Sequence, residues 1–353
     1  MTSNVLQRSG NGEHVGGAIE RTMLKRSQAS SENEPTGESS SIRVHQEEAE
    51  PIVIDGQEDI YSVALLADGK HVVSGGPEGK IRRWRIEDGM EVGTPMVTGS
   101  TVLNIAVSPD GKVIVNGTRC GEVTVWNAES HSKVTEFKTH SGWAVAVDVS
   151  PDATKLAAGT IDCAVCVWSL STGERLLGPL EHDYGVVAAK FSPNGHLIAT
   201  ATYDRDSVRV YDSQDGSLLV EFTVKVYSGF NHSLAWASDS LFALSYDGYI
   251  HRVDVFTGTT LLKWRIHSSI VPTCIALASN ETFIAASAGS SVSFWDTTSQ
   301  AQIGAVIEYT HGAWSMAISS NYDFVTSGDK RITLRTLCGV LPSHYLEDVS
   351  VPA

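Results

Sequence analysis

The sequence predicts an all-β protein, a seven-bladed β-propeller behind a polar N-terminal tail. Three observations lead there. A turn signal recurs at Asp68, Asp110, Asp152, Asn194, Asp239, Asn280 and Asn321, at spacings of 42, 42, 42, 45, 41 and 41. A second marker closes an alternating run at Trp84, Trp126, Trp168, Tyr211, Val253, Trp295 and Arg335, at spacings of 42, 42, 43, 42, 42 and 40. Between the markers each unit keeps one internal order of strands and turns. A period of this length marks a stacked repeat.

The first element is the tail. Residues 1–49 are rich in Ser, Glu, Gly and Asn, as in SQASSENEPTGESSS. Too few large apolar side chains are present to offset the entropy of ordering, so the tail is expected to be a disordered polar extension. AIERTMLKR is long enough for a marginal turn or two of helix and no more. Residues 50–353 form the second unit, the propeller.

Within a unit, an apolar strand such as AVAVDV leads into an SPDG-like turn, where Asp/Asn-Gly supplies the backbone angles of a tight hairpin. A second strand such as KLAAGT follows, then a polar turn. The third strand alternates with period two, as in EVTVWN, AVCVWS, SVRVYD and SVSFWD. The fourth follows a further turn, as in GERLLGPL. One four-stranded sheet cannot bury both of its faces, whereas sheets stacked around an axis can.

Composition narrows the function. The formal charge is -15, and residues 51–353 carry 21 Lys/Arg against 33 Asp/Glu. Such a body attracts no phosphate backbone without a basic patch, and the run Lys80-Ile81-Arg82-Arg83 alternates as a solvated strand face would. Direct nucleic-acid binding is therefore not expected. No stretch approaches the ~20 apolar residues of a membrane span, and no signal-peptide run opens the chain. A cytoplasmic, or else nuclear, location is the expectation, and the three glycosylation triplets then match by chance. Five cysteines suit reduced thiols, with Cys163-Ala-Val-Cys166 packed in a hydrophobic strand rather than holding metal.

With these units in view, the chain resembles the WD40-repeat family over about residues 51–348. The third strand ends in Trp295-Asp296 in unit six and Tyr211-Asp212 in unit four, and drifts to Trp126-Asn127, Trp168-Ser169 and Trp84-Arg85 elsewhere. His140, His182, His267 and His311 resemble the family's loop histidine. Asp162 and Asp247 match its turn aspartate, and Asp204 and Asp329 match after one-residue shifts. The resemblance implies a hydrogen-bonded group of His, Asp, Ser/Thr and Trp inside a blade. His182, Thr200, Asp204 and Tyr211 look like one such group. His140, Asp162 and Trp168 look like another, with Ala158 where the hydroxyl belongs. These residues read as structural. The regular units also resemble WD40 arrays attached to NACHT-type signalling proteins, especially fungal ones.

A ring must close. EPIVIDG, residues 50–56, reads as a strand without a hairpin partner, and the resemblance implies that it completes the last unit by pairing with ITLRTL. The C-terminal CGVLPSHYLEDVSVPA competes for that edge, but Pro342 weakens it as a strand. Asp148 and Lys190 occupy a position that is Ala in five other units, and are expected to pair across adjacent blades.

No catalytic constellation emerges. GxSxG and HExxH are absent, and Ser74-Gly-Gly-Pro-Glu-Gly-Lys80 lacks the Ser/Thr of a phosphate loop. The ring of equivalent positions Tyr61, Leu103, Val145, Val187, His232, Thr273 and Trp314 holds one His and no carboxylate, a poor metal cage. No metal, cofactor or catalytic residue is expected. The resemblance implies a protein-interaction scaffold or adaptor, a monomeric subunit within a complex. Its peptide or protein partner would bind the face displaying Tyr61, Arg119, Trp143, Tyr184, Tyr203, Phe230, Tyr246 and Trp314. The acidic body favours a basic or neutral peptide. The alternatives are a chromatin-associated reader of basic peptides and a propeller enzyme.

Overall fold

The computed structural model describes residues 50–347 apart from 57, 140–141, 204–206, 227–232 and 267–271. Expectations placed on residues 1–49, His140, Asp204, Phe230, His232 and His267 lie outside the described residues. Among the described residues are seven four-stranded antiparallel sheets. Six are built from consecutive strands. Blade two, for example, runs Val102–Val107, Val113–Thr118, Glu122–Asn127 and Lys133–Lys138.

Blade seven is the exception and closes the ring as expected. Its first three strands are Ser315–Ile318, Asp323–Gly328 and Arg331–Thr336, and its fourth is Ile52–Asp55. The register runs from Ile52 opposite Leu334 to Asp55 opposite Arg331. Ile54 is buried among Val72 and Trp84 of blade one and Val325 and Ile332 of blade seven. The closing strand thus joins the two ends of the chain by ladder hydrogen bonds and by packing.

The hairpin between the first two strands explains the SPDG signal. The Ser108 hydroxyl donates to Asp110 Oδ1 at 2.6 Å and accepts from Val113 N–H at 3.0 Å, while Asp110 Oδ1 also accepts from Lys112 N–H at 3.1 Å. The same lattice recurs at Ser150 and Asp152 and at Ser192 and Asn194. The residue after each acid or amide lies in the left-handed region: Gly111 at φ 70°, Ala153 at 54°, Gly195 at 73°. Glycine reaches this region without a Cβ clash, and any other residue is strained there.

The apolar core lies between blades. Large side chains fill the wide outer gaps, as Phe283, Phe294 and Phe324 do between blades six and seven. Small ones recur on the innermost strands of blades three and four, such as Ala144, Ala146, Ala188 and Ala189, where the sheets converge. Side chains on those strands also reach across. Ser315 Oγ accepts from Val63 N–H at 3.1 Å, Ser62 Oγ from Ile105 N–H at 3.0 Å and Asn104 Oδ1 from Val147 N–H at 3.0 Å. Asp148 Oδ2 accepts from Phe191 N–H at 2.8 Å, and Lys190 Nζ meets Asp148 Oδ1 at 3.2 Å. The expected pair is present, and it replaces the Ser/Asn latch at one blade junction.

Two readings change. The run Lys80–Arg83 is not a solvated face: Arg82 pairs with Glu78 and Glu91, and Arg83 with Asp68, leaving the two side chains 15% and 14% exposed. Cys166 is a buried strand residue, but Cys163 sits in the preceding turn at φ 67° and is half-buried. Blade one has only Met96–Val97 as its fourth strand. The C-terminal segment does not compete for the closing edge. Leu337 and Leu341 plug the core of blades six and seven, and a short 3-10 turn, Ser343–Tyr345, follows. Tyr345 Oη donates to Asp296 Oδ2 at 2.7 Å, while Asn280 Nδ2 donates to the Tyr345 carbonyl at 2.9 Å.

Candidate interaction face

In a propeller, the links between blades and the turns between second and third strands share one face. The expected binding residues that are described all belong to these segments. Backbone bonds anchor them: Tyr61 N–H to Gly75 O at 2.9 Å, Arg119 N–H to Thr101 O at 3.0 Å and Tyr203 N–H to Gly185 O at 3.2 Å. The Trp143 carbonyl receives Ile161 N–H at 3.1 Å. These hydrogen bonds extend each inner hairpin by one residue, so rigid sheet edges aim the side chains.

Two pairs of side chains come together. The Tyr61 and Trp314 rings lie 6.0 Å apart across the junction of blades seven and one. Arg119, from blade two, places its guanidinium carbon 4.6 Å from the centre of the Trp143 ring in blade three. Burial raises the Tyr61 phenol above its ordinary range; Asp59 adds to the rise and the Arg119 charge opposes it. Arg119 therefore acts on both aromatic partners. On blades four and five, Tyr203 and Tyr246 are 49% and 46% exposed. Lys225 Nζ stands 5.7 Å from the Tyr246 ring centre. Tyr61, Trp143, Tyr184 and Trp314 are half-buried, so part of each ring serves the packing between blades and part faces outward. Leu103, Val145 and Val187 of the predicted ring are buried.

The expected structural group of blade four is present in part. Tyr211 Oη and His182 Nε2 approach to 3.5 Å, edge to face. Thr200 does not join them, because its hydroxyl donates to the Arg209 carbonyl at 3.3 Å. Tyr211 stands eleven residues after Thr200 rather than ten, and its side chain ends in an oxygen where Trp has a mid-ring N–H. Two pairs escaped the sequence reading. Trp84 Nε1 donates to Ser74 Oγ at 2.8 Å and Trp126 Nε1 to Asn116 Oδ1 at 2.8 Å. Their signal was a Ser or Asn ten residues before the Trp. Trp168 has Ala158 at that place and stacks on Phe137 at 5.5 Å.

A shallow cleft of about 180 Å³ beside His182 is lined by Asp162, Cys163 and Glu181, among others. Burial, Asp162 and Asp183 all push the Cys163 thiol up, so it stays protonated. Burial pushes His182 down to about 4, so it is neutral. Protonated thiol and weakly basic imidazole do not make a nucleophile and base. Among the described residues no cluster of three or more His, Cys, Asp or Glu could hold a metal ion. No helix among them is long and apolar enough to cross a membrane.

The family description "WD domain, G-beta repeat" matches residues 50–85, 131–169, 175–212 and 258–296. These are WD40 repeats. The first match begins at the closing strand and the others fall on blades three, four and six; blades two, five and seven have drifted further from the family pattern. No curated protein matches the chain. Among solved structures, "Structure of U3-55K" shares 18% identity at a TM-score of 0.72, covering 81% of this chain and 98% of that one. "Crystal structure of RRP9 WD40 repeats" has the same identity and TM-score, with 81% and 97% covered. "Crystal structure of WD40 beta propeller domain of Doa1" shares 21% identity at 0.67, with 80% and 95% covered. At these identities the likeness concerns the fold. These structures do not bear on the resemblance to NACHT-attached arrays. WD40 propellers are generally non-catalytic and typical of protein-interaction scaffolds.

Proposed function

We propose that the protein is a non-catalytic scaffold that docks a peptide or protein partner on the face carrying Tyr61, Arg119, Trp143, Tyr184, Tyr203, Tyr246 and Trp314. One observation carries the reading: aromatic and Arg side chains from blades one to five and seven are presented on one face, several of them exposed, on backbone fixed by hydrogen bonds. Aromatics and Arg dominate interface hot spots, and rigid presentation lowers the entropy lost on binding. The five free thiols fit a reducing compartment, cytosol or nucleus.

The test is affinity capture with the intact chain beside a variant carrying Trp143→Ala, Tyr203→Ala, Tyr246→Ala and Trp314→Ala, after matched melting curves show that both are folded. A partner held by the first and lost by the second supports the face. Equal capture by both places binding elsewhere. Fractionation of cells expressing the tagged chain tests the location.

A further inference from the structure

Arg119 is an exposed guanidinium that holds no carboxylate among the described residues. Arg82, Arg209 and Arg331 each grip one or two acidic side chains, and Arg119 differs from them in this. What holds Arg119 is an aromatic face, the Trp143 ring, 4.6 Å from its guanidinium carbon. A planar cation stacked on a ring keeps its N–H edge free, already oriented, and less hydrated than a free side chain. The Tyr61 phenol also feels the Arg119 charge, and the Tyr61 and Trp314 rings lie 6.0 Å apart. The guanidinium therefore has one face over an aromatic ring and an exposed edge of N–H donors.

We propose that Arg119 on Trp143 is the anchor for one carboxylate, an Asp or Glu side chain of the docked peptide, with an apolar neighbour of that residue lying on Tyr61 and Trp314. This rests on the docking face proposed above and names what it takes. A forked pair of N–H donors matches the two oxygens of a carboxylate. A basic peptide finds a like charge at this point. A phosphate, at close to two negative charges, calls for more than one cation, and Asp59, the other charge acting on Tyr61, opposes a dianion about twice as strongly as a single carboxylate. The net acidity of the body acts over longer range and is screened by salt, so it sets the rate of encounter more than the contact made.

The experiment selects binders from a displayed library of random twelve-residue peptides on the intact chain. It then measures the best binder against Arg119→Ala, Arg119→Lys, Trp143→Ala and Tyr203→Ala variants that melt like the parent. The expected peptides share Asp or Glu at one position beside an apolar residue. Replacing that residue by Gln or Asn, or Arg119 by Ala, weakens binding roughly tenfold or more, as loss of a charged hot-spot pair does. Arg119→Lys recovers part of it, and phosphoserine at the acidic position binds more weakly than Glu. Peptides lost on Trp143→Ala or Tyr203→Ala but indifferent to Arg119→Ala, or basic at the shared position, overturn the carboxylate anchor and leave the face standing. Tighter binding of phosphoserine overturns the choice of a single charge. A selection that yields no binder sensitive to any of the four substitutions contradicts the anchor and the face together.

Discussion

Ala153 shows what one backbone angle costs. It occupies the left-handed slot of a hairpin at φ 54°, where Gly111 and Gly195 serve in the neighbouring blades. Ala153→Gly is expected to raise stability by about 0.5–1 kcal/mol, and Gly111→Ala to lower it by about 1 kcal/mol or more. Urea denaturation midpoints read both, and a loss on Ala153→Gly contradicts the strain argument. Two histidines set the response to acid. Burial pushes His182 and His251 down to about 4. An unfolded chain protonates its histidines near pH 6.5, so between these values the unfolded state takes up protons that the native state refuses. Stability is full above about 6.5, falls by at most about 1.4 kcal/mol per pH unit for each His as pH drops, and levels off below about 4. Denaturation midpoints at pH 7, 5.5 and 4.5 should show this slope, and the His182→Gln, His251→Gln double variant should flatten it. An unchanged slope in that variant assigns the acid sensitivity to other groups.

At the scale of elements, the Asp148–Lys190 pair replaces the latch used at other junctions. Asp148→Ala removes both the ion pair and the acceptor for Phe191 N–H, whereas Lys190→Ala removes only the first. The expected costs are about 3 and about 1 kcal/mol, with positive coupling in the double variant. Additive effects contradict the pairing. This junction was legible because a charged residue stood where the repeat writes Ala, on both sides of one 42-residue step. The closing strand was legible for a related reason: EPIVIDG is an apolar strand with no hairpin partner of its own. The C-terminal strap was not. Its fixings are a phenol donating to Asp296, a backbone carbonyl accepting from the Asn280 amide and two leucines in the core of blades six and seven. None of these leaves a period or a motif, and Pro342 only says where strand must stop. The Trp84–Ser74 and Trp126–Asn116 pairs lay between these cases: their spacing is regular, but the Asn hides the hydroxyl pattern.

The propeller holds together as a ring, so its weakest link decides its stability. Deleting residues 50–55 removes four ladder pairings and the buried Ile54, opens blade seven, and exposes the core shared with blade one. A sharp fall in melting temperature is expected, larger than for any single substitution above; an unchanged melting curve contradicts the closure. The candidate face was legible as a set of positions, because the repeat assigns each residue its place in a blade. Which side chains meet was not. The approach of Arg119 to the Trp143 ring and of Tyr61 to Trp314 crosses blade junctions, and a repeat pattern read one unit at a time does not show what neighbouring units bring together. The measurement that tests the central claim most directly places a photo-cross-linking phenylalanine analogue at Tyr203, at Tyr246 and, separately, at Phe256. Phe256 is 76% exposed and lies in a turn between the third and fourth strands of blade five, on the opposite face. Irradiation in cells is predicted to join one and the same partner to the chain from Tyr203 and Tyr246 and none from Phe256. Cross-links from Phe256 with silence at the two tyrosines contradict the docking face.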